Sequence, residues 1–550
     1  MIRLSRKKKT FFAAVIAASA LPVNAAEFQL GGGEANVMGY ISQGMSYGLR
    51  NAYDTQRGVN SLITTALIEG DYKPDNSLKF YGALMATGDL IYSARDNWNW
   101  SAREFDQSGK NLRFDNKNWQ VLRELHMTYS GENSMLRIGK QVVKWGEMDG
   151  QQVIDTINPV DQRRGFADVE FETSVIPTWL IRGEYYPKNK PDWLQDLGLE
   201  YVFNPNVQFI PSQPGETGND AGGVWGPSIS PSPTGTYSQL ATNAFGIPLP
   251  FPVGSYLPTV ATSAIPPLPG VTFGPPLQSR VGSNAQFNLT KPSGSDGMEH
   301  AFRIKANIGE ALATFNAFYG REKLPVSRDI PGTAPVLTVA NDGSIIEHHR
   351  VEGYYPRKKF LGVTLATDLT SLKVASLGGV SPVLRLESLY SFDSTFSVGR
   401  PAMGAPAFTF DKRDIWRSGV GLDWKVKIDA LNARNFIVIS PQVFYDRIIK
   451  FPDDAIVVLG PGNVGFERNN YSASLMLSTA YMNDKLLPKL FVLRDFTNRA
   501  YWTRLELAYA PTNQLSYVVG AQFLGGSEPG KSMHVFNNKD HLFAKVTYKF

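Results

Sequence analysis

The sequence contains no cysteine in 550 residues. That excludes a disulfide framework, thiol catalysis and cysteine-based zinc or iron–sulfur sites. Histidine is scarce as well, with six at His126, His300, His348, His349, His534 and His541. None stands in a G-x-S-x-G or comparable setting, so no serine-hydrolase constellation is legible. His348 and His349 are adjacent, would face opposite sides of a strand, and could not readily share a metal. Walker A and EF-hand patterns are absent, and Asp453-Asp454, or Glu322 with Asp329, read as loop charges. The expectation is a chain without catalytic residues, metal or cofactor, and not an enzyme. No stretch of eighteen apolar residues occurs either, which excludes a spanning helix in the mature chain. The formal charge of +5 misleads. Arg3, Arg6, Lys7, Lys8 and Lys9 lie in a 25-residue opening stretch without Asp or Glu, and without it the rest is neutral. Nucleic acid is therefore not an expected partner.

That opening stretch has the form of a secretory signal: a basic start, an apolar run from Phe11 to Leu21, then Pro22-Val23-Asn24-Ala25. Small residues at Val23 and Ala25 place cleavage between Ala25 and Ala26. Residues 1–25 are expected to be removed and 26–550 exported, to the periplasm, the exterior or an outer-membrane barrel.

Period-two alternation favours the barrel. In the last ten residues Leu542, Ala544, Val546, Tyr548 and Phe550 form one face, against His541, Phe543, Lys545, Thr547 and Lys549. Such a run, about ten residues long, fits a strand tilted across a bilayer with one wet face. A helix would mix Lys545 and Lys549 into the apolar stripe. Phe302, Ile304, Ala306 and Ile308 alternate with Arg303, Lys305 and Asn307. Tyr471, Ala473, Leu475 and Leu477 alternate with serines. Sixteen to eighteen such runs can be marked, several joined by turn chemistry such as Lys73-Pro74-Asp75-Asn76 and Ala510-Pro511-Thr512-Asn513. Aromatics cluster near run ends, as in Tyr47, Tyr72, Tyr129, Trp416 and Tyr509, which suits interfacial girdles. The fold expected is all-β, a closed antiparallel transmembrane barrel of about sixteen strands (range 14–18). Tyr548 and Phe550 resemble the signal read by the barrel-assembly machinery, an expected partner together with outer-membrane lipids.

Two inserts stand out. Residues 204–297 hold 16 of the 35 prolines and five charged residues. Proline at this density forbids helix and central strand, while low charge argues against a purely solvated tail. The insert either folds over or into the barrel as a lid or plug, or packs outside; the lid is favoured, since a large exposed apolar patch is an association liability. The other insert, 146–176, is charged and expected to fold inward as a constriction, alongside the strand before it. Arg137, Lys140, Lys144, Glu147, Asp149, Asp161, Arg163 and Arg164 are the candidate constriction residues, the basic ones selecting anionic head groups.

The segments GKQVVKWGE, INPVD, VIPTWLIRGEYY and GVGLDWKV resemble the Gram-negative outer-membrane family catalogued as domain of unknown function 1302. The resemblance implies an outer-membrane β-barrel, with a periplasmic lipid-carrier-like protein and an inner-membrane transporter as partners, and by analogy traffic in hydrophobic compounds or lipids. It carries no catalytic residues. The function expected is an outer-membrane channel or transporter for hydrophobic or amphipathic molecules, passive or partner-assisted. The alternatives are a non-conducting adhesin, receptor or scaffold, and a general porin.

Overall fold

The structure, a computed structural model, describes residues 26–50, 57–90, 121–160, 175–209, 240–242, 248–252, 256–257, 279–332, 336–339, 345–399, 409–453, 455–458, 467–528, 532–537 and 539–550. The expected signal segment, residues 1–25, lies outside them, as do Asp161, Arg163 and Arg164.

Strands of alternating polarity pair in sequence order around a closed ring. They are β1 (Gly33–Gly48), β2 (Ile63–Lys73), β3 (Leu78–Asp89), β4 (Leu122–Ser130), β5 (Ser134–Gln141) and β6 (Thr178–Tyr185). Then follow β7 (Asp196–Asn204), β8 (Glu299–Ile308), β9 (Ala311–Arg321), β10 (Arg357–Asp368), β11 (Val383–Gly399) and β12 (Thr409–Val426). The last six are β13 (Ile437–Ile448), β14 (Asn469–Ser478), β15 (Leu486–Asp495), β16 (Ala500–Tyr509), β17 (Leu515–Gly526) and β18 (His541–Lys549). Every neighbouring pair is antiparallel, and β18 closes on β1 from Tyr40↔Lys549 to Gly48↔His541. Among the described residues the barrel thus has 18 strands, at the upper end of the expected range.

Burial is inverted relative to a water-soluble fold. Facing outward, Val443 is 57% and Val519 51% exposed, whereas inward-facing Gln522 and Glu200 are 0% and 1%. The terminal strand keeps the expected faces: His541, Phe543, Lys545 and Thr547 are buried, and Leu542 and Val546 are exposed. An apolar outer wall around a polar interior is stable where the surroundings are hydrocarbon and every backbone donor is paired within the ring. Among the described residues no helix is long and apolar enough to cross a membrane.

The longest connections share one end of the barrel, although Phe496–Arg499 at that end is a tight turn. Short turns, such as Gly309-Glu310 between β8 and β9, gather at the other end, with Tyr129, Tyr185, Tyr509 and Tyr517 outward beside them. Near the long connections the outward rings of Trp416, Tyr445 and Tyr471 are in contact. Much of the Pro-rich insert is outside the described residues, so its place over or beside the lumen is too. Its described parts include an edge pair of Leu240–Thr242 with Pro248–Pro252. Its proline-free stretch Ser279–Thr290 pairs in parallel with Ile345–Tyr354, joining the inserts before β8 and β10 in one small sheet.

The inverted burial sets an expected outcome. Val420→Arg, on the outer face of β12, is expected to destabilise the barrel by about 2–4 kcal/mol if it sits at bilayer mid-depth. Denaturant unfolding from lipid vesicles measures this, and a loss below about 0.5 kcal/mol would contradict a lipid-facing β12.

Candidate functional site

Between β5 and β6 the chain runs from Val142 to Val160 across the inside of the barrel. Just before the departure, still within β5, Gly139 has φ +136°; a Cβ there would stand 2.2 Å from the Leu125 carbonyl oxygen, so only glycine fits. Asn158 draws the two ends of the excursion together. Its Oδ1 accepts the Val143 N–H at 2.8 Å, and its Nδ2 donates to the carbonyls of Gln141 and Ile176 at 3.1 and 3.0 Å. A single bridge, Val160↔Val175, closes the neck.

The middle of this loop is held by the far wall. Glu387 on β11 accepts backbone N–H groups from Glu147, Met148 (3.1 Å) and Ile154 (3.4 Å). Gln442 on β13 accepts from the N–H groups of Asp149 and Gly150 at 3.2 and 2.9 Å. Arg385 on β11 bonds the Asp149 carboxylate at 3.0 Å and the Asp423 carboxylate on β12 at 2.8 Å, and also donates to the Glu147 carbonyl. Beyond these, Gln151 donates to Asp446 at 3.0 Å and accepts from Ser472 at 3.2 Å. A loop in a water-lined lumen would otherwise present these amides to solvent; here fixed side chains satisfy them, which holds the backbone in one path.

Apolar packing backs the polar contacts. Val143, Trp145, Met148, Val153, Ile154 and Ile157 form one buried cluster with wall residues Leu180, Val202, Ala301, Phe318, Phe360, Leu389 and Phe444. Val202, Ala301, Phe318 and Phe360 are directly paired neighbours on β7 to β10, so they form a continuous inward apolar row. Burying side chains of this size contributes about 1.5–3 kcal/mol each. Space for the loop is left at Gly419 and Gly421, where a Cβ would come within 3.3 Å of Val153 and 3.4 Å of Met148. On the loop itself Gly150 lies so close to Ser474 that a Cβ would be 2.3 Å from its Oγ.

Trp145 links the loop to a buried charge network. Its Nε1 donates to Glu200 at 3.2 Å, and the Arg303 guanidinium lies 5.4 Å from its ring centroid. Glu200 is surrounded by Arg303 (2.6 Å), Arg182 (3.0 Å) and Lys305 (3.0 Å), which offset the cost of burying it. Arg182 and Lys305 also reach Glu184. In the loop, burial pushes the Asp155 carboxyl up to about 6, against the pull of the Trp145 backbone N–H and of Lys144.

The expected constriction residues divide. Lys144, Glu147 and Asp149 lie on the lumenal loop and remain exposed on it. Arg137 and Lys140 do not join them. Arg137 stays on β5 and bonds Thr128 at 2.9 Å, and Lys140 is buried with its ammonium on the Leu122 carbonyl at 2.6 Å. The excursion also starts at Val142, before the expected boundary at residue 146, because pairing of β5 with β4 and β6 ends at Gln141. A seat for the loop was not legible: Arg385, Glu387 and Gln442 alternate along ordinary strands, and their partners lie more than 200 positions away. Phe550 pairs with Gly39 by mutual backbone hydrogen bonds of 2.8 and 2.9 Å, extending the closure between β18 and β1.

A family model described as a protein of unknown function, DUF1302, matches residues 10–209. The chain resembles that family. GKQVVKWGE and Ile157–Val160 of INPVD hold the two arms of the lumenal loop, and GVGLDWKV supplies Gly419, Gly421 and Asp423 of its seat. No curated protein matches the chain. Among solved structures, Acinetobacter baumannii OccAB2 is 8% identical with a TM-score of 0.44, covering 94% of this chain and 98% of that one. Pseudomonas aeruginosa OccK2 (OpdF), solved with glucuronate, is 8% identical with a TM-score of 0.42, covering 94% and 97%. Salmonella typhi OmpF, solved with daunomycin, is 9% identical with a TM-score of 0.36, covering 96% and 100%. These likenesses concern the fold alone; the barrel here rests on its own strand pairing.

Two outcomes are expected. Glu387→Ala strands three buried loop amides, each worth about 1–3 kcal/mol. The loop should then leave the wall, and trypsin should cut after Lys144 in the folded variant but not in the wild type; equal resistance would refute the clamp. Asp155 binds its proton more tightly docked than free, so its contribution is fullest below about pH 4 and is lost as pH rises through the window from 3.8 to about 6. The loop should therefore be more firmly seated at pH 4 than at pH 7. The part of that change due to Asp155 should vanish in Asp155→Asn, read by nitroxide mobility at a label introduced at Lys144.

Proposed function

We propose that this protein is an outer-membrane channel whose lumen is narrowed by the docked Val142–Val160 loop. The observation that carries the reading is the three-amide clamp of Glu387 together with the interior apolar cluster: a loop held this firmly across a polar lumen sets a fixed bore. The inverted burial of the wall supports a membrane location, and the opening stretch of the sequence supports export through a cleaved signal.

The solute class follows from what the loop leaves exposed. Its apolar side chains are used up against the wall, while Lys144, Glu147 and Asp149 remain in contact with water. Small amphipathic molecules with a charged group fit such a lining, Lys144 attracting anionic head groups and the Pro-rich insert handling apolar parts. A periplasmic lipid-carrier-like protein and an inner-membrane transporter would serve the same route as partners. The second reading is a sealed scaffold or receptor, favoured by the solid packing inside the lumen.

Planar-bilayer recording of the full chain separates these. The channel is expected to show discrete steps, with Lys144→Gln shifting ion preference toward cations and Glu147→Gln toward anions, each by roughly twofold. No conductance in a correctly folded barrel would establish the sealed reading. Steps with unchanged ion preference in both variants would remove the loop from the selectivity mechanism.

A further inference from the structure

On the outer wall, β7 to β11 enclose a groove of about 370 Å³, open to the surroundings and almost wholly apolar. Tyr201, Phe302, Tyr319, Leu361 and Phe392 wall it, and each is exposed on the face opposite the lumen. The groove exists because Ala317 stands between larger neighbours: it pairs with Phe302 on β8 and Leu361 on β10, and its methyl group leaves a gap in the row. The next row toward the long connections is His300, Tyr319 and Lys359. His300 is held against the Tyr201 hydroxyl at 2.7 Å, so polarity rises sharply along the groove.

At its mouth stand two cations. Lys359 has a 43% exposed side chain, its Nζ 3.4 Å from Asp393, whose side chain is 68% exposed. Arg357 covers the Tyr319 ring at 4.9 Å and reaches Asp296 at 2.9 Å. Pairs as exposed as Lys359 with Asp393 are held weakly, and an ammonium has three donors, so a second anion can join. The groove has the volume of a small ligand site. Apolar below and cationic above, at the level of an aromatic girdle, it matches one acyl chain under a phosphate.

We propose that β7 to β11 form a specific outer-wall site for a phosphate-bearing membrane lipid, its chain lying over Ala317 and its phosphate held by Lys359 and Arg357. The inference rests on the outer wall facing lipid, and it is independent of whether the lumen conducts.

Native mass spectrometry of the full chain released from non-ionic detergent tests it, with phosphatidylglycerol and phosphatidylcholine of identical chains as probes. Wild type is expected to retain phosphatidylglycerol about fivefold better. Lys359→Gln should abolish that preference, and Ala317→Trp, which fills the groove, should remove most bound lipid of both kinds. Tyr509→Ala, on the girdle at the short-turn end, should leave retention as in the wild type. Heat-dependent gel mobility establishes that each variant is folded. Equal retention of the two lipids, a preference that survives Lys359→Gln, or equal losses in Tyr509→Ala would show ordinary boundary lipid and overturn the site. The channel reading fails separately, by absence of conductance, and the membrane reading fails if the chain is released without detergent.

Discussion

The structure depends on one constraint: a backbone amide cannot be left unpaired in hydrocarbon. Each such group costs several kcal/mol, and an open sheet would leave a whole edge of them. Closing β18 onto β1 removes the edge. Once the ring is closed, side chains have two destinations, and period-two alternation sends apolar ones outward and polar ones inward. The inward set then has to be satisfied without a hydrophobic core, which is why charges such as Arg182, Glu184, Glu200, Arg303 and Lys305 appear as a connected cluster on adjoining strands.

The lumenal loop obeys the same constraint in miniature. A strand would pair its amides with neighbouring strands; the loop has none, so Glu387 and Gln442 take that role. Its apolar residues find partners in an inward row that interrupts the otherwise polar interior. Polar clamp and apolar row are complementary: the first fixes the backbone path, and the second supplies most of the burial. Asp155 is held partly out of water beside this seat, which raises its carboxyl pKa, while Lys144 and Glu147 stay exposed on the loop.

Much of the fold was legible because strand faces are local. The partition of His541–Phe550 into two faces, and the turns at Lys73–Asn76 and Gly309-Glu310, are set by residues within a few positions of each other. The site was legible only where local sequence is unusual. The charges after β5 mark an insert, but its attachment is mostly apolar and through backbone amides, which the charges do not reveal. Arg137 and Lys140 stand on β5, the strand that leads into the loop, where the ladder sets their partners, Thr128 and the Leu122 carbonyl.

The sequence by itself determined the closed, inside-out barrel, since alternation and turn chemistry act over short distances and the surrounding hydrocarbon permits one solution. The tertiary structure alone decided where the loop docks and which of its side chains stay exposed. Glu387 meets Met148 across 239 positions of chain, and only the curvature of the ring, six strands round from β5 to β11, brings that carboxylate within hydrogen-bonding reach of the loop.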